Sequence, residues 1–331
     1  MEGRAFEEQK TAVTKHKRMK VLYVAGSGRS GSTLLGRILG QIEGFVWVGE
    51  LQYIWERGLI ENRLCSCGLS FKECPVWGAI LSHAFGGSDR INAEELLGLH
   101  ERGPRFRHVV LAPTRKSVHT KVAQMGEYKG ALEKLYRAVQ SVSRSRVIVD
   151  TSGSPAYGQV LQDVPGIDLY VLHLVRDPRA VAYSWAFRRK PKMAGWDLND
   201  IMTPHGPVES SLVWLGGNFA VERFWGREPE RYMLLRYEDF VQSPLSSVKN
   251  ILRFLGDETE PPFVNEREVS LTVSHTFSGN PDRFQIGPIK IEPDEGWKRE
   301  MGGGYRTSVT AITWPGLLRY GYPLRPQRNG P

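Results

Sequence analysis

Cysteine is scarce in this chain, three among 331 residues, and all three fall in the runs Cys65-Ser66-Cys67-Gly68 and Cys74-Pro75. An odd, clustered set excludes a secreted disulfide framework and leaves core packing or one local bridge as the expectation. A zinc site can be drawn from Cys65, Cys67, Cys74 and His83, but Cys-x-Cys is not the common knuckle spacing, so no metal is expected. Long hydrophobic runs are also missing. The first apolar stretch, Val21 to Ala25, is too short for a signal-peptide core or a membrane span, which predicts a soluble, cytoplasmic protein with no transmembrane segment. A strong excess of one charge is absent too. The 44 Lys and Arg against 36 Asp and Glu leave +8 and a pI near 9.4, a balance that favours an anionic ligand. The densest basic run, Lys15 to Lys20, belongs to a short tail over residues 1–18 and reads as solvated, so nucleic acid is not an expected partner.

What is present is core-forming material: 40% of residues are hydrophobic and 10% aromatic, enough for a sizeable interior. Short β-rich runs at Val21–Ala25, Phe45–Val48, Val147–Val149, Leu169–Val175 and Tyr232–Leu235 are each followed by a turn. Helical periods follow at Ser32–Ile42, Val118–Ser143, Pro155–Asp163, Pro178–Arg188, Glu209–Gly226 and Pro244–Leu255. Continuous Val/Ile/Leu strands alternating with helices predict an α/β fold with a central parallel sheet flanked by helices. Residues 19–326 are expected to form a single domain. Within it, about 51–115 lack clean periodicity and form a candidate cap, while the Gly- and Pro-bearing tail from Gly302 reads as loop.

The first strand runs into Gly26-Ser27-Gly28-Arg29-Ser30-Gly31-Ser32-Thr33-Leu34, a Gly/Ser loop opening a helix, which cradles anions on backbone N–H groups. Gly26 and Gly31 have the spacing of a nucleoside-triphosphate loop, but Ser32 stands where such a loop carries Lys. Arg29 is the only cation, and its planar fork suits a sulfuryl or phosphosulfate group.

In an open parallel sheet the ligand lies at the carboxyl ends of the strands. Gly49-Glu50, Asp150-Thr151-Ser152 and Arg176-Asp177-Pro178 follow three of those runs, with Ser184 two helical turns beyond Arg176. Arg176 and Ser184 are therefore expected to grip one phosphate well separated from the Arg29 loop. Two anion sites in that order resemble the sulfotransferases that use 3′-phosphoadenosine 5′-phosphosulfate (PAPS). The resemblance spans roughly Met19 to Met301 and rests on three motifs. It implies a P-loop-NTPase-like sheet, with Gly28, Arg29, Ser30, Gly31, Ser32 and Thr33 holding the 5′-phosphosulfate. It further implies that Arg176, Ser184 and Arg283 hold the 3′-phosphate, Arg283 opening a late segment that ends in Trp297-Lys298 and closes over it. Arg236-Tyr237-Glu238-Asp239-Phe240 and His275-Thr276-Phe277-Ser278-Gly279-Asn280-Pro281 are similar to bacterial members.

Glu50 is the expected catalytic base beside Arg29, since a Gly-Glu at this distance from the loop resembles the base of tyrosylprotein sulfotransferases. The bland alternatives for Glu50 are a helix-cap role or a salt bridge to Arg57, and His275 is the rival base. Related sequences often carry Lys after Asp-Ser-Ser, whereas Gly153 stands here; Lys190 and Lys192 are candidate substitutes. The function implied is sulfuryl transfer to a hydroxyl on a small molecule, glycan or lipid, without metal. The alternatives are an NTP-dependent kinase with a degenerate loop, using Asp150 to hold magnesium, and a catalytically weak binder of PAPS or adenosine 3′,5′-bisphosphate. Trp185, Trp196, Trp214 and Trp225 read as core or as an acceptor wall.

Overall fold

The computed structural model describes residues 18–112, 114–187 and 205–325. Five parallel strands, β1 (Met19–Ala25), β2 (Phe45–Gly49), β3 (Val147–Gly153), β4 (Ile167–Val175) and β5 (Tyr232–Arg236), form one sheet in the order β2-β3-β1-β4-β5. Central β1 shows why its run Val21–Ala25 is apolar at every position. Val21, Tyr23 and Ala25 enter one core layer while Leu22 and Val24 enter the other, because alternate side chains of a strand point to opposite faces. Burying a residue such as Leu22 stabilises the sheet by about 1.5–3 kcal/mol, so a charge at that position would cost at least as much.

The layer under Leu22 is closed by α1 (Ser32–Leu39) and by the later α10 (Tyr237–Gln242) and α11 (Pro244–Leu255). The opposite layer is closed by helices from the middle of the chain: α2 (Pro75–Phe85), α3 (Ala93–Arg102), α4 (Phe106–Val110), α5 (Arg115–Ala123), α6 (Gly126–Ser143), α7 (Pro155–Gln162) and α9 (Pro207–Trp225). Helix α8 (Pro178–Phe187) follows β4. The pair β6 (Glu268–Leu271) and β7 (Gly287–Lys290) lies outside the main sheet, followed by α12 (Gly296–Glu300) and α13 (Gly303–Arg319).

Two sequence expectations are corrected. The single helix expected over Val118–Ser143 is two, broken at Gln124–Met125 just before Gly126, whose backbone freedom disfavours continuation. The segment after Gly302 is a helix rather than a loop. Its buried positions Val309, Thr313, Gly316 and Leu317 fall at helical spacing, Pro315 notwithstanding, and Gly303-Gly304 occupy only the first turn. The candidate cap is largely helical, opening with a 3-10 turn at Leu51–Tyr53 and a π-helical turn over Ile54–Ile60.

Candidate active site

The carboxyl ends of the strands border a cavity of about 700 Å³. Its lining takes in Gly28, Arg29, Ser30, Gly31, Ser32, Thr33, Glu50, Arg176 and Ser184, so the structure gathers every expected site residue but Arg283.

The loop after β1 is shaped by left-handed backbone. Gly26 has φ +141° and an added Cβ would stand 2.4 Å from the Leu174 carbonyl oxygen; at Gly31, φ +95°, it would meet the Tyr237 ring at 2.5 Å. Arg29 adopts φ +68°, uncommon for a residue with a side chain and a form of strain found at functional sites. The first-turn N–H groups of α1 at Ser32, Thr33 and Leu34 have no intrahelical acceptor. Among the described residues, the buried Ser30 Oγ and Arg176 Nε of the lining have no hydrogen-bond partner.

Arg176, the residue after β4, is almost fully buried. Its guanidinium donates to the Arg29 carbonyl at 3.1 Å, pairs with the Asp294 carboxylate at 2.8 Å and lies 4.3 Å over the Tyr237 ring. Arg29 Nε in turn donates to Ser184 Oγ at 2.9 Å. The expected gap between the Arg29 loop and the Arg176–Ser184 pair is therefore absent, because the Arg29 side chain reaches across to α8.

On the acceptor side, Glu50 follows β2, held by a chain in which Trp47 Nε1 donates to Thr151 Oγ1 and that hydroxyl donates to the Gly49 carbonyl, both at 3.0 Å. Glu50 Oε2 accepts from Ser278 Oγ at 2.8 Å and from Arg57 at 3.2 Å, and Arg57 also donates to Ser278 at 2.6 Å and stacks on Tyr53. The salt bridge to Arg57 is thus present, whereas no side-chain cap bond is made, and Glu50 remains a quarter exposed in the cavity wall.

Other expectations land elsewhere. Arg283 sits on a tight turn, Pro281–Phe284, buried beneath the Gly279 loop, where it donates to the Gly279 and Leu64 carbonyls at 2.8 and 3.3 Å. Trp297 packs with α8, and of its late segment only Asp294 reaches the cavity. His275 points its Nδ1 at Cys74 Sγ and lines a different, smaller cavity from the one that Glu50 lines. Gly153 is at the cavity with φ +79°, a backbone that Lys would adopt only under strain. Asp150 is fully buried, accepting from the Tyr136 hydroxyl and the Ser152 N–H, and burial pushes its carboxyl up to about 6. It does not line the cavity, so it is not placed to hold magnesium as a kinase would require. Trp214 and Trp225 are core, Trp185 lines the cavity, and Lys190, Lys192 and Trp196 lie outside the described residues.

Sequence reasoning gave no site role to Tyr237, Ser278 or Asp294, and named Arg57 only as an alternative salt-bridge partner of Glu50. Tyr237 was within reach, since Arg236-Tyr237-Glu238 follows β5 as Arg176 follows β4, and Glu238 accepts the Asp177 N–H at 3.0 Å. The other three carry no strand-end signal.

A strand–loop–helix turn, two arginines and the carboxylate of Glu50 thus line one cavity at the carboxyl ends of the strands. The sulfotransferase domain family matches residues 20–285, and the chain belongs to that family. Among curated proteins it is 31% identical over 176 residues to carbohydrate sulfotransferase 3 of Homo sapiens, and the match covers 50% of this chain and 36% of that one. Carbohydrate sulfotransferase 4 of Mus musculus is 30% identical over 107 residues, covering 28% of this chain and 26% of that one. The chain thus spans well under half the length of these relatives. Among solved structures, the sulfotransferase domain of the Synechococcus PCC 7002 olefin synthase aligns at TM-score 0.48 and 20% identity, covering 94% of this chain and 98% of that one. A sulfotransferase from Alicyclobacillus acidocaldarius aligns at 0.41 and 15%, covering 90% and 92%.

Proposed function

We propose that the chain transfers a sulfuryl group from PAPS to a hydroxyl of a carbohydrate-type acceptor, with Glu50 as the base and no metal in the chemistry. The observation that carries this reading is one cavity that joins the Arg29 loop, Arg176 and Ser184 to Glu50. The residues fit such a donor: Ser30 Oγ and Arg176 Nε are unpartnered donors in the wall, and the α1 N-terminus offers unpaired N–H groups beside Arg29. When bound, PAPS supplies an activated sulfuryl group on a phosphosulfate. Arg29, Ser30, Gly31, Ser32 and Thr33 would hold the 5′ end, and Arg176 and Ser184 the 3′-phosphate. Glu50 takes the acceptor hydroxyl proton on a carboxylate oxygen, oriented by Ser278 and Arg57. Arg29 and the loop N–H groups hold the negative charge left on the donor side, since Gly153 brings none. The partial match to carbohydrate sulfotransferases supports a glycan hydroxyl, and the scarcity of cysteine supports a reducing, cytoplasmic setting.

Adenosine 3′,5′-bisphosphate should raise the melting temperature more than ATP at equal concentration without magnesium, by the free energy of ligand binding to the folded state alone. Equal or better stabilisation by ATP with magnesium would sink the reading in favour of a kinase. Radiolabelled PAPS with a panel of glycans then separates transfer from binding; bisphosphate binding without single-turnover transfer to any hydroxyl would make the protein a binder only.

A further inference from the structure

Three thiols and one imidazole converge where the candidate cap meets the segment leading to Ser278. Cys65 and Cys67 lie on a tight turn whose flanks pair at Leu64 and Ser70; Gly68, at φ +91°, lets the turn close. Cys74 precedes α2, so its sulfur receives the backbone N–H groups of Val76 and Trp77. His275 comes from the far side, its carbonyl accepting from Trp77 Nε1 at 2.8 Å. The three Sγ atoms and a ring nitrogen of His275 all lie within 4.8 Å of one another.

The spacing is more telling than the composition. Cys65 Sγ and Cys74 Sγ are 3.7 Å apart, and Cys74 Sγ is 3.3 Å from His275 Nδ1. A tetrahedral zinc ion, with Zn–S of about 2.3 Å and Zn–N of about 2.0 Å, separates two sulfurs by about 3.8 Å and sulfur from nitrogen by about 3.5 Å. A disulfide would need its sulfurs about 2.05 Å apart. Plain packing of thiols gives no reason for an imidazole nitrogen to be turned onto them. His83, the histidine suggested by sequence proximity, is exposed near the end of α2 and outside the cluster. We propose that Cys65, Cys67, Cys74 and His275 form a structural zinc site.

Three soft thiolates and one imidazole in a closed set of four are the donors of a structural zinc rather than a catalytic one. Binding forms three Zn–S bonds and one Zn–N bond, releases three thiol protons to solvent and transfers no electrons. The Val76 and Trp77 N–H groups and the α2 N-terminus offset the charge of the thiolates. The site would staple the cap turn to the segment that carries Ser278 against Glu50, so it would hold the acceptor wall in place without touching the chemistry.

The test is metal content rather than activity, and so stands apart from the sulfuryl-transfer reading. Full-length protein made in zinc-supplemented medium should carry about one zinc per chain by elemental analysis. Its cobalt-exchanged form should show the intense visible bands of a tetrahedral thiolate site. His275→Gln and Cys67→Ser should each weaken zinc retention against a chelator by about tenfold or more, with His83→Gln as an unaffected control. Chelation of the parent protein should lower its melting temperature. A folded, metal-free protein with no cobalt bands would overturn the proposal, as would iron in place of zinc or a Cys65–Cys74 disulfide found by mass spectrometry.

Discussion

The two ends of the cavity are built on opposite plans. At the end proposed to hold the donor, the lining comes from one strand–loop–helix unit, Val21 to Leu39, joined by the residue after β4; at the end proposed for the acceptor, Glu50, Arg57 and Ser278 come from segments up to 228 positions apart. Each end pairs its key charge with an opposite one, Arg176 with Asp294 and Glu50 with Arg57. The burial differs. Arg176 is 7% exposed and its partner 20%, whereas Glu50 and Arg57 are each 26% exposed. A guanidinium that deep is fixed in place and suited to binding, while a carboxylate left a quarter exposed keeps access to a proton. On the proposed function, binding falls to the first end and proton removal to the second.

The strongest way to break that division is Glu50→Gln, which keeps shape and removes the basic carboxylate. Transfer should fall by about 10²–10⁴-fold in kcat with bisphosphate affinity little changed; a variant that transfers normally would remove Glu50 as base. Arg176→Ala should do the reverse at the other end. Loss of a charged hydrogen bond worth about 1.5–3 kcal/mol should erase the preference for adenosine 3′,5′-bisphosphate over AMP in titration calorimetry, and an unchanged preference would move the 3′-phosphate elsewhere.

Gly153 sharpens the comparison because it lines the same cavity and carries no charge. An added Cβ there would stand 3.3 Å from the Gly26 carbonyl oxygen on a φ of +79°, so Gly153→Lys should destabilise by about 1–2 kcal/mol and leave the single-turnover rate no higher. A faster rate in the folded variant would show that donor-side charge is limiting. The smallest effect is expected from Asp294→Asn. Removing the carboxylate beside Arg176 should tighten bisphosphate binding by up to about 1 kcal/mol, more at low salt, as a partly exposed pair allows. Weaker binding would mean that Asp294 positions Arg176 rather than competing for it.

Much of the donor end was legible because its signals are local. An apolar strand, a Gly/Ser loop with Arg29 and a strand-ending Arg176-Asp177-Pro178 each report through adjacent residues, and parallel topology brings strand ends together whatever the loops do. Arg283 misled because a basic residue near a familiar segment says nothing about which way its side chain turns, and here the turn at Pro281–Phe284 directs it to the Gly279 and Leu64 carbonyls. The helix after Gly302 was obscured by glycines and Pro315, although its buried face keeps helical spacing.

By itself the sequence determined the α/β class, the strand ends, the anion loop and the carboxylate after β2, since each depends on periodicity or on neighbours within a few residues. Only the tertiary structure decided that Arg29 bridges to Ser184, that Arg176 pairs with Asp294, that Arg57 and Ser278 clasp Glu50, and that His275 rather than His83 meets the three cysteines. Those contacts join residues far apart in the chain, and their partners are selected by how the layers pack, which no local pattern encodes.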